Sequence, residues 1–453
     1  MDFAEELAAF RQRTNDPGCR AIIILGTRQP VTAALLVGTL SIERVAFLLT
    51  DETGTMPTQV AALLGVDPSG WLCPSGDHST TLRVYEGVKA ILAAWSDLDR
   101  AQIAVDVTGG LKPMAVGLEK AAHLLGLKTL YIESAYGPLP DRPLPDRTFG
   151  PVPGSQRLVI PPNPYAEFGD LDAAEATRLF NTHDYTGAKR IFADLAKRVP
   201  ERRDYGAQAE LADAYAAWDV FDLPTARDRM HALLARDCPT NLVTHQPTFA
   251  AQATALTALV RIAGRAAGRG AEALATLANI DDVLPLLGSL YANACRRAAQ
   301  GRYDMAALLC YRCLELLSQH RLARRGVLSE RPDFTQVSAQ ITDFERRYER
   351  VVRAQGRGRF YGLPDRAFGL FVGYMLLAAL DDELVRGYPI AQIEQRAEVR
   401  NKSILAHGYR LITKDEYAQF AGVLEDILDR FFAVSGKDRQ AWAQTFTFVG
   451  LTE

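Results

Sequence analysis

Asp106-Val107-Thr108-Gly109-Gly110-Leu111-Lys112-Pro113-Met114 stands between an apolar run, Gln102 to Val107, and a helical pattern over about Pro113–Leu125. A glycine pair where a strand hands over to a helix lets backbone N–H groups come close to a ligand. Thr108 offers a hydroxyl, Lys112 a point charge, and Pro113 suits the first turn of the helix that follows. The stretch has the make-up of a phosphate cradle at a helix N-terminus. It is neither a P-loop nor a dinucleotide fingerprint, because G-x(4)-G-K-[ST] and G-x-G-x-x-G are both absent. A structural turn would explain the two glycines, though not the Thr and Lys that frame them.

Working outward, the same strand-then-helix unit recurs. Ala21–Leu25 reads as a buried strand ending in Gly26-Thr27-Arg28-Gln29-Pro30, with a helix from about Val31 to Leu40. Val45–Leu49 is a second strand, ending in Thr50-Asp51-Glu52-Thr53-Gly54. Trp71-Leu72-Cys73 is a weaker third, running into Pro74-Ser75-Gly76-Asp77 and a helix over about Thr80–Trp95. Lys128–Ile132 is the last. Continuous apolar strands alternating with helices predict a mainly parallel, doubly wound, Rossmann-like α/β sheet. Ligands of such sheets bind at the C-terminal strand ends, where Gly26, Thr27, Arg28, Gln29, Asp51, Ser75, Thr108, Gly109, Gly110 and Lys112 all fall. From Tyr136 to Pro164 the chain is rich in Pro, Gly and Asp, which predicts an added hairpin or extended crossing and a boundary near Asn163.

The Asp-x-Thr-Gly-Gly-x-Lys-x-Met phrase after a fourth strand resembles the second ligand motif of CARF domains, and Gly26–Pro30 resembles that family's first-motif loop. The likeness spans most of residues 20–135. It implies a sensor of cyclic oligoadenylate, an allosteric activator and not a cofactor.

Whole-chain properties agree with a multidomain protein. At 453 residues two or three domains are expected, and 48% hydrophobic with 23% charged residues describes a globular chain. No run approaches the roughly 18–20 apolar residues of a membrane span, and the acidic start Met1–Glu6 lacks the layout of a secretory leader, so the expected location is cytoplasmic. Six scattered Cys fit a reducing compartment. Cys310-x-x-Cys313 has no second pair and lies in an apolar helical pattern, which predicts small buried thiols and no metal site. A net charge of −3 excludes polyanion binding by composition alone, so any nucleic-acid affinity rests on local patches.

From Asp170 onward the pattern is all helical. Asn181-x-x-Asp184-Tyr185-x-x-Ala188 and Gly301-Arg302-Tyr303-Asp304-x-Ala306 read as two helical hairpins, with Pro200, Pro224, Pro239, Pro247 and Pro285 as punctuation. The expected division is residues 1–162, a linker of α-hairpins over 163–284, and a last helical domain over 285–453. Between Arg321 and Arg359 there are ten Arg, no Lys and five acids, a local surplus of +5, and Arg357-Gly358-Arg359-Phe360-Tyr361 sets aromatics beside Arg. Such a patch can hold phosphates and stack on bases, or it is a solvated helix face.

Arg400-Asn401-Lys402-Ser403-Ile404-Leu405-Ala406-His407 ends a helical pattern that starts after Pro389. Ile390, Ile393, Ala397 and Ile404 line one face, and the same step carries Arg400 and His407 onto it, two turns or roughly 10 Å apart. Gly408 offers a helix stop directly afterwards. A structural ion pair and a satisfied His would be the plain explanation on spacing alone. The pattern also resembles the R-x(4–6)-H motif of HEPN ribonucleases, with a six-residue spacer, Asn401 to Ala406. That resemblance implies a HEPN-like last domain, a homodimer with a composite site, and cleavage of single-stranded RNA. His407 would exchange the proton of the substrate 2′-hydroxyl, Arg400 would hold the scissile phosphate, and Asn401 would hold the substrate or orient the His. No His, Cys and Asp cluster has metal-ligand spacing, so the expected chemistry is metal-independent. Two alternatives stay open: a nucleotide-sensing module that only recruits partners, and a ring nuclease degrading the cyclic activator through Thr108, Ser75 or Lys112.

Overall fold

The computed structural model describes residues 2–138, 149–199, 204–236, 242–265, 270–356 and 360–452. The chain divides into two units, Met1–Phe168 and Gly169–Glu453.

In the first unit the elements run α1 (Phe3–Arg13), β1 (Ala21–Leu25), α2 (Pro30–Thr39), β2 (Arg44–Leu48), α3 (Met56–Leu64), α4 (Thr81–Ala94), β3 (Ile103–Asp106), α5 (Lys112–Leu125), β4 (Lys128–Glu133), β5 (Tyr136–Pro138), β6 (Phe149–Pro151), β7 (Arg157–Val159) and α6 (Pro164–Phe168). The main sheet has the order β2-β1-β3-β4-β7. β1 is buried throughout and pairs in parallel on both sides, Ile22 lying opposite Val45 and Ala104. Alternate residues feed opposite cores. Ile23, Leu25, Ala46 and Val105 pack under α4 and α5, while Ile22, Ile24, Val45 and Phe47 pack against α1, α2 and α3. Helices therefore cover both faces, as a doubly wound sheet requires.

One expectation changes here. The strand at Trp71–Cys73 reduces to one parallel bridge, Ala46 to Leu72, because a 3-10 turn at Pro68–Gly70 precedes it and Pro74 ends it. The Tyr136–Pro164 segment supplies both a small hairpin, β5 with β6, and an antiparallel strand, β7, that joins β4. α1 and α3 were not read from the sequence.

The second unit runs α7 (Asp170–Asn181), α8 (Tyr185–Arg198), α9 (Asp204–Asp219), α10 (Leu223–Leu234), α11 (Gln246–Arg265), α12 (Ala271–Ala278), α13 (Ile280–Ala299), α14 (Tyr303–Ala323), α15 (Thr335–Gln340), α16 (Phe344–Ala354), α17 (Leu370–Ala379), α18 (Ala391–Asn401), α19 (Lys414–Ser435) and α20 (Arg439–Phe446). The two expected hairpins are α7–α8 and α13–α14. Asp184 caps α8 by accepting from Gly187 N at 2.9 Å, and Gly301, with φ +72°, turns the chain between α13 and α14. One continuous core joins Ala176 to Leu451. The boundary expected at Pro285 falls inside α13, and Pro200 and Pro239 lie outside the described residues. Cys310 and Cys313 are buried in α14, where burial raises both thiols above the ordinary range. Among the described residues no single helix is long and apolar enough to cross a membrane.

Candidate ligand crevice and active site

In the first unit the strand order changes direction between β1 and β3, and the loops after these two strands meet there. Packing sets their spacing. A Cβ on Gly109 would lie 3.1 Å from the Thr27 side chain, and one on Gly26 would lie 2.3 Å from Thr53 Oγ1. Gly110 takes φ +81° with Leu25 beneath it, a backbone form that favours glycine. Gln29 precedes α2, and its N–H donates to Thr27 Oγ1 at 3.3 Å. Lys112 opens α5 and is exposed. Arg28, also exposed, pairs with Glu52 at 2.6 Å. The crevice thus brings together Gly26–Gln29, Gly109, Gly110 and Lys112.

Thr108 behaves differently from the ligand donor expected of it. Its hydroxyl donates to Asp106 Oδ1 at 2.5 Å and accepts from Ile132 N at 2.7 Å, so it ties β3 to β4. Asp106 also accepts from Thr108 N at 2.9 Å. Burial dominates over these hydrogen bonds and pushes the Asp106 carboxyl up to about 6. Asp51 is exposed on the turn after β2. Ser75 opens on a separate cavity of 720 Å³, which His78 and Arg83 also line and which none of the other expected ligand residues borders. His78 is buried, and its Nδ1 bonds the Leu49 carbonyl at 3.1 Å. That carbonyl can only accept, so Nδ1 carries the proton.

The second site lies in the helical unit. α18 buries Ile393 and Ala397 and then stops at Asn401, six residues before His407. The continuous helix expected through His407 is therefore replaced by a tight turn. Ser403 is buried and bridges to Arg410, with Ile404 N donating to Arg410 O at 2.9 Å and Gly408 N to Ser403 O at 3.1 Å. Gly408 is needed for close approach and not as a helix stop, since a Cβ there would lie 2.0 Å from the Lys402 carbonyl oxygen. The turn brings His407 back over the helix end: its N–H donates to Asn401 O at 3.2 Å. His407 itself is exposed. Beyond the turn, Ile412 N donates to Asp304 Oδ1 at 2.9 Å and Thr413 caps α19 with Glu416, so the segment is anchored on both sides.

Arg400 has neutral partners. Its Nη1 donates to Asn401 Oδ1 at 3.1 Å, and its guanidinium carbon lies 4.6 Å from the centre of the Tyr311 ring on α14. Its Nε is buried with no hydrogen-bond partner, and among the described residues no carboxylate pairs with it. Arg312 is lowered below the ordinary arginine range, first by burial and in part by the Arg400 charge. The arrangement leaves the Arg400 charge without a paired carboxylate among the described residues, next in sequence to the Asn401 whose carbonyl holds the backbone of the exposed His407, a set that suits a phosphate and a proton acceptor. Tyr311 and Arg312 were not found from sequence, because nothing local links α14 to α18.

The arginine patch is less uniform than its composition. Arg321 is buried in a paired contact with Asp382, Arg353 pairs with Glu349 along α16, and Arg357 and Arg359 lie outside the described residues. Among the described residues no group of three or more His, Cys, Asp and Glu could hold a metal ion.

A doubly wound sheet with a crevice at its switch point, followed by helices carrying Arg400 and His407, defines a CARF–HEPN protein. Family models described as the Csm6 6H domain and the Csm6 HEPN domain match residues 168–262 and 276–430. The chain belongs to the Csm6 family. It is 27% identical over 400 residues to the CRISPR system endoribonuclease Csm6 of Thermus thermophilus, covering 85% of this chain and 79% of that one. Its fold matches that of Enterococcus italicus Csm6 bound to cyclic hexa-2′-fluoro-hexa-dAMP, with a TM-score of 0.53 at 12% identity, over 94% of this chain and 97% of the other.

Proposed function

We propose that the chain is a cyclic-oligoadenylate-activated, metal-independent endoribonuclease of single-stranded RNA acting in CRISPR defence. The observation that carries this reading is Arg400, held by a ring and an amide and paired with no carboxylate among the described residues, with an exposed His407 pinned by its backbone to the end of the same helix. The HEPN match encloses both residues, and the Thermus relative is named an endoribonuclease.

His407 takes the proton of the substrate 2′-hydroxyl. The freed oxygen attacks the adjacent phosphorus, the P–O5′ bond breaks, the 5′-oxygen takes a proton from water and His407 gives its own back to solvent, so the products are a 2′,3′-cyclic phosphate and a 5′-hydroxyl. Arg400 balances charge on the phosphate while it is five-coordinate. Asn401 orients Arg400 through its side chain and His407 through its carbonyl. A single copy offers one cation and one imidazole. Ile404, Leu405, Tyr409 and Leu411 are exposed around the turn, Tyr409 at 96%, and form an apolar seat for a two-fold copy that would double the set. In the first unit, Arg28, Lys112 and the Gly109–Gly110 loop hold the phosphates of the ring.

The test is cleavage of a fluorogenic single-stranded RNA in EDTA, with and without a panel of cyclic oligoadenylates. Activation by one ring size that His407→Ala abolishes is expected. Equal cleavage by His407→Ala and the parent would refute the assignment. Binding of a ring without turnover would favour a recruiting sensor instead.

A further inference from the structure

A separate cavity of 290 Å³ lies in the helical unit, walled by α13, the turn before α8 and the end of α20, and not by Arg400 or His407. That volume is near the lower end for small-molecule pockets. Tyr291, Phe446 and Phe448 supply rings, and His183, Cys295 and Arg296 supply polar groups.

Behind this wall one carboxylate serves two guanidinium groups. Asp219 accepts from Arg296 Nε at 2.8 Å, and Arg297 Nη2 bonds its other oxygen. The three side chains are only 7%, 7% and 9% exposed, so the cluster is a buried surplus of one positive charge. Arg297 spends its remaining donors on Asn293 Oδ1 at 3.0 Å and Gln300 Oε1 at 2.8 Å. Arg296 makes only the one hydrogen bond among the described residues, and its guanidinium carbon lies 3.8 Å from the centre of the Phe448 ring. Its Nη groups are left as the unbonded polar edge of the cavity wall. Among the described residues no carboxylate other than Asp219 pairs with the two arginines. Tyr291 donates to Glu425, which Arg439 already holds, and burial followed by the Arg296 charge lowers His183 below its ordinary value. A buried cation without a counter-charge is costly, and an anion of matching charge removes that cost.

We propose that this cavity binds a small organic anion of single negative charge, its charged end on Arg296 and its ring body against Tyr291 and Phe446. A phosphodiester and a carboxylate share this chemistry.

Cys295 opens on the cavity and reports on it. The full-length protein is labelled with N-ethylmaleimide alone and with millimolar adenosine 2′,3′-cyclic phosphate, 4-hydroxybenzoate or neutral adenosine. Peptide mass spectrometry then gives the rate at Cys295 against Cys73, an exposed thiol of the other unit. One of the two anions is expected to slow Cys295 several-fold with Cys73 unchanged, and adenosine to have no effect. Arg296→Met, which leaves Asp219 paired with Arg297, should abolish the protection. If that variant does not fold, Ala299→Phe, which fills the cavity from its exposed wall, should abolish it equally. Protection that persists in the folded variant, equal protection by adenosine, or protection by no probe would overturn the proposal.

Discussion

Tyr311→Leu removes the ring beneath the Arg400 guanidinium while keeping an apolar side chain in α14. The arginine charge and the Asn401 hydrogen bond both remain, so the variant tests how the cation is held. A guanidinium over an aromatic ring is stabilised by about 0.5–1 kcal/mol when exposed and about 2 kcal/mol when desolvated. Arg400 is half-buried and its Nε is enclosed without a partner, which places the loss in the upper part of that range. At about 1.4 kcal/mol per factor of ten, the chemical step should slow roughly 5- to 30-fold. Tyr311→Phe keeps the ring and should stay within about twofold, because the contact is to the face and not the hydroxyl. Single-turnover cleavage with saturating activator separates this from RNA affinity, and the pH profile should keep its shape. Equal rates for Tyr311→Leu and the parent would refute the reasoning. So would equal losses in the Leu and Phe variants, which would put the effect on the hydroxyl.

Gly408→Ala should lower cleavage by about tenfold or more, a loss of about 1.4 kcal/mol, while circular dichroism shows the helices intact, since the added Cβ meets the Lys402 carbonyl and displaces the His407 turn. Lys112→Ala should weaken activator binding, whereas Glu52→Gln should strengthen it by releasing Arg28 from an exposed pair worth at most about 1 kcal/mol; calorimetry with the activating ring checks both. Asp106 is raised in the fold from 3.8 to about 6, so its contribution is fully present below pH 3.8 and is lost as pH rises through 6. Relative to Asp106→Asn the parent should lose about 3 kcal/mol over that range, about half of it between pH 5 and 8, and parallel urea-unfolding curves across pH would contradict this.

The first unit was legible because its strands are continuous apolar runs, and burial on both faces of a parallel sheet produces that pattern directly. Trp71–Cys73 was over-read for the same reason: three β-prone residues look like a strand, while the neighbouring prolines allow only one bridge. α1 went unread. Its inward face carries Phe3, Leu7 and Phe10 at helical spacing, but with a buried Glu6 among them and only three apolar residues the signal is short. In the helical unit the Arg400 and His407 pair was found, but the helix joining them was not real. Periodicity places residues on an ideal cylinder. It carries no information on where a buried Ser403 and a close-packed Gly408 end that cylinder. Thr108 was read by type as a donor to a ligand, and its commitment to Asp106 and Ile132 depends on strand pairing that no local pattern encodes.

Several arginines of the helical unit are held differently from Arg400, although Arg430 also lies over a ring, that of Tyr388, and donates to a carbonyl. Arg321 is bound to Asp382, Arg353 to Glu349, Arg386 to Asp381, Arg410 to Glu416 and Arg439 to Glu425. Each of these charges is already balanced, so presenting it to a phosphate would mean breaking an ion pair. Arg400 is held by Tyr311 and Asn401, which fix its geometry without cancelling its charge. A guanidinium built in this way is costly for the empty protein and repays that cost only when an anion arrives. The same reasoning applies to Arg296, where the shared Asp219 balances one of two cations. An acidic residue engineered within reach of Arg400, such as Asn401→Asp, should therefore make the fold more stable and the nuclease slower. A variant that gained stability and kept full cleavage would show that the charge of Arg400 is not what the reaction uses.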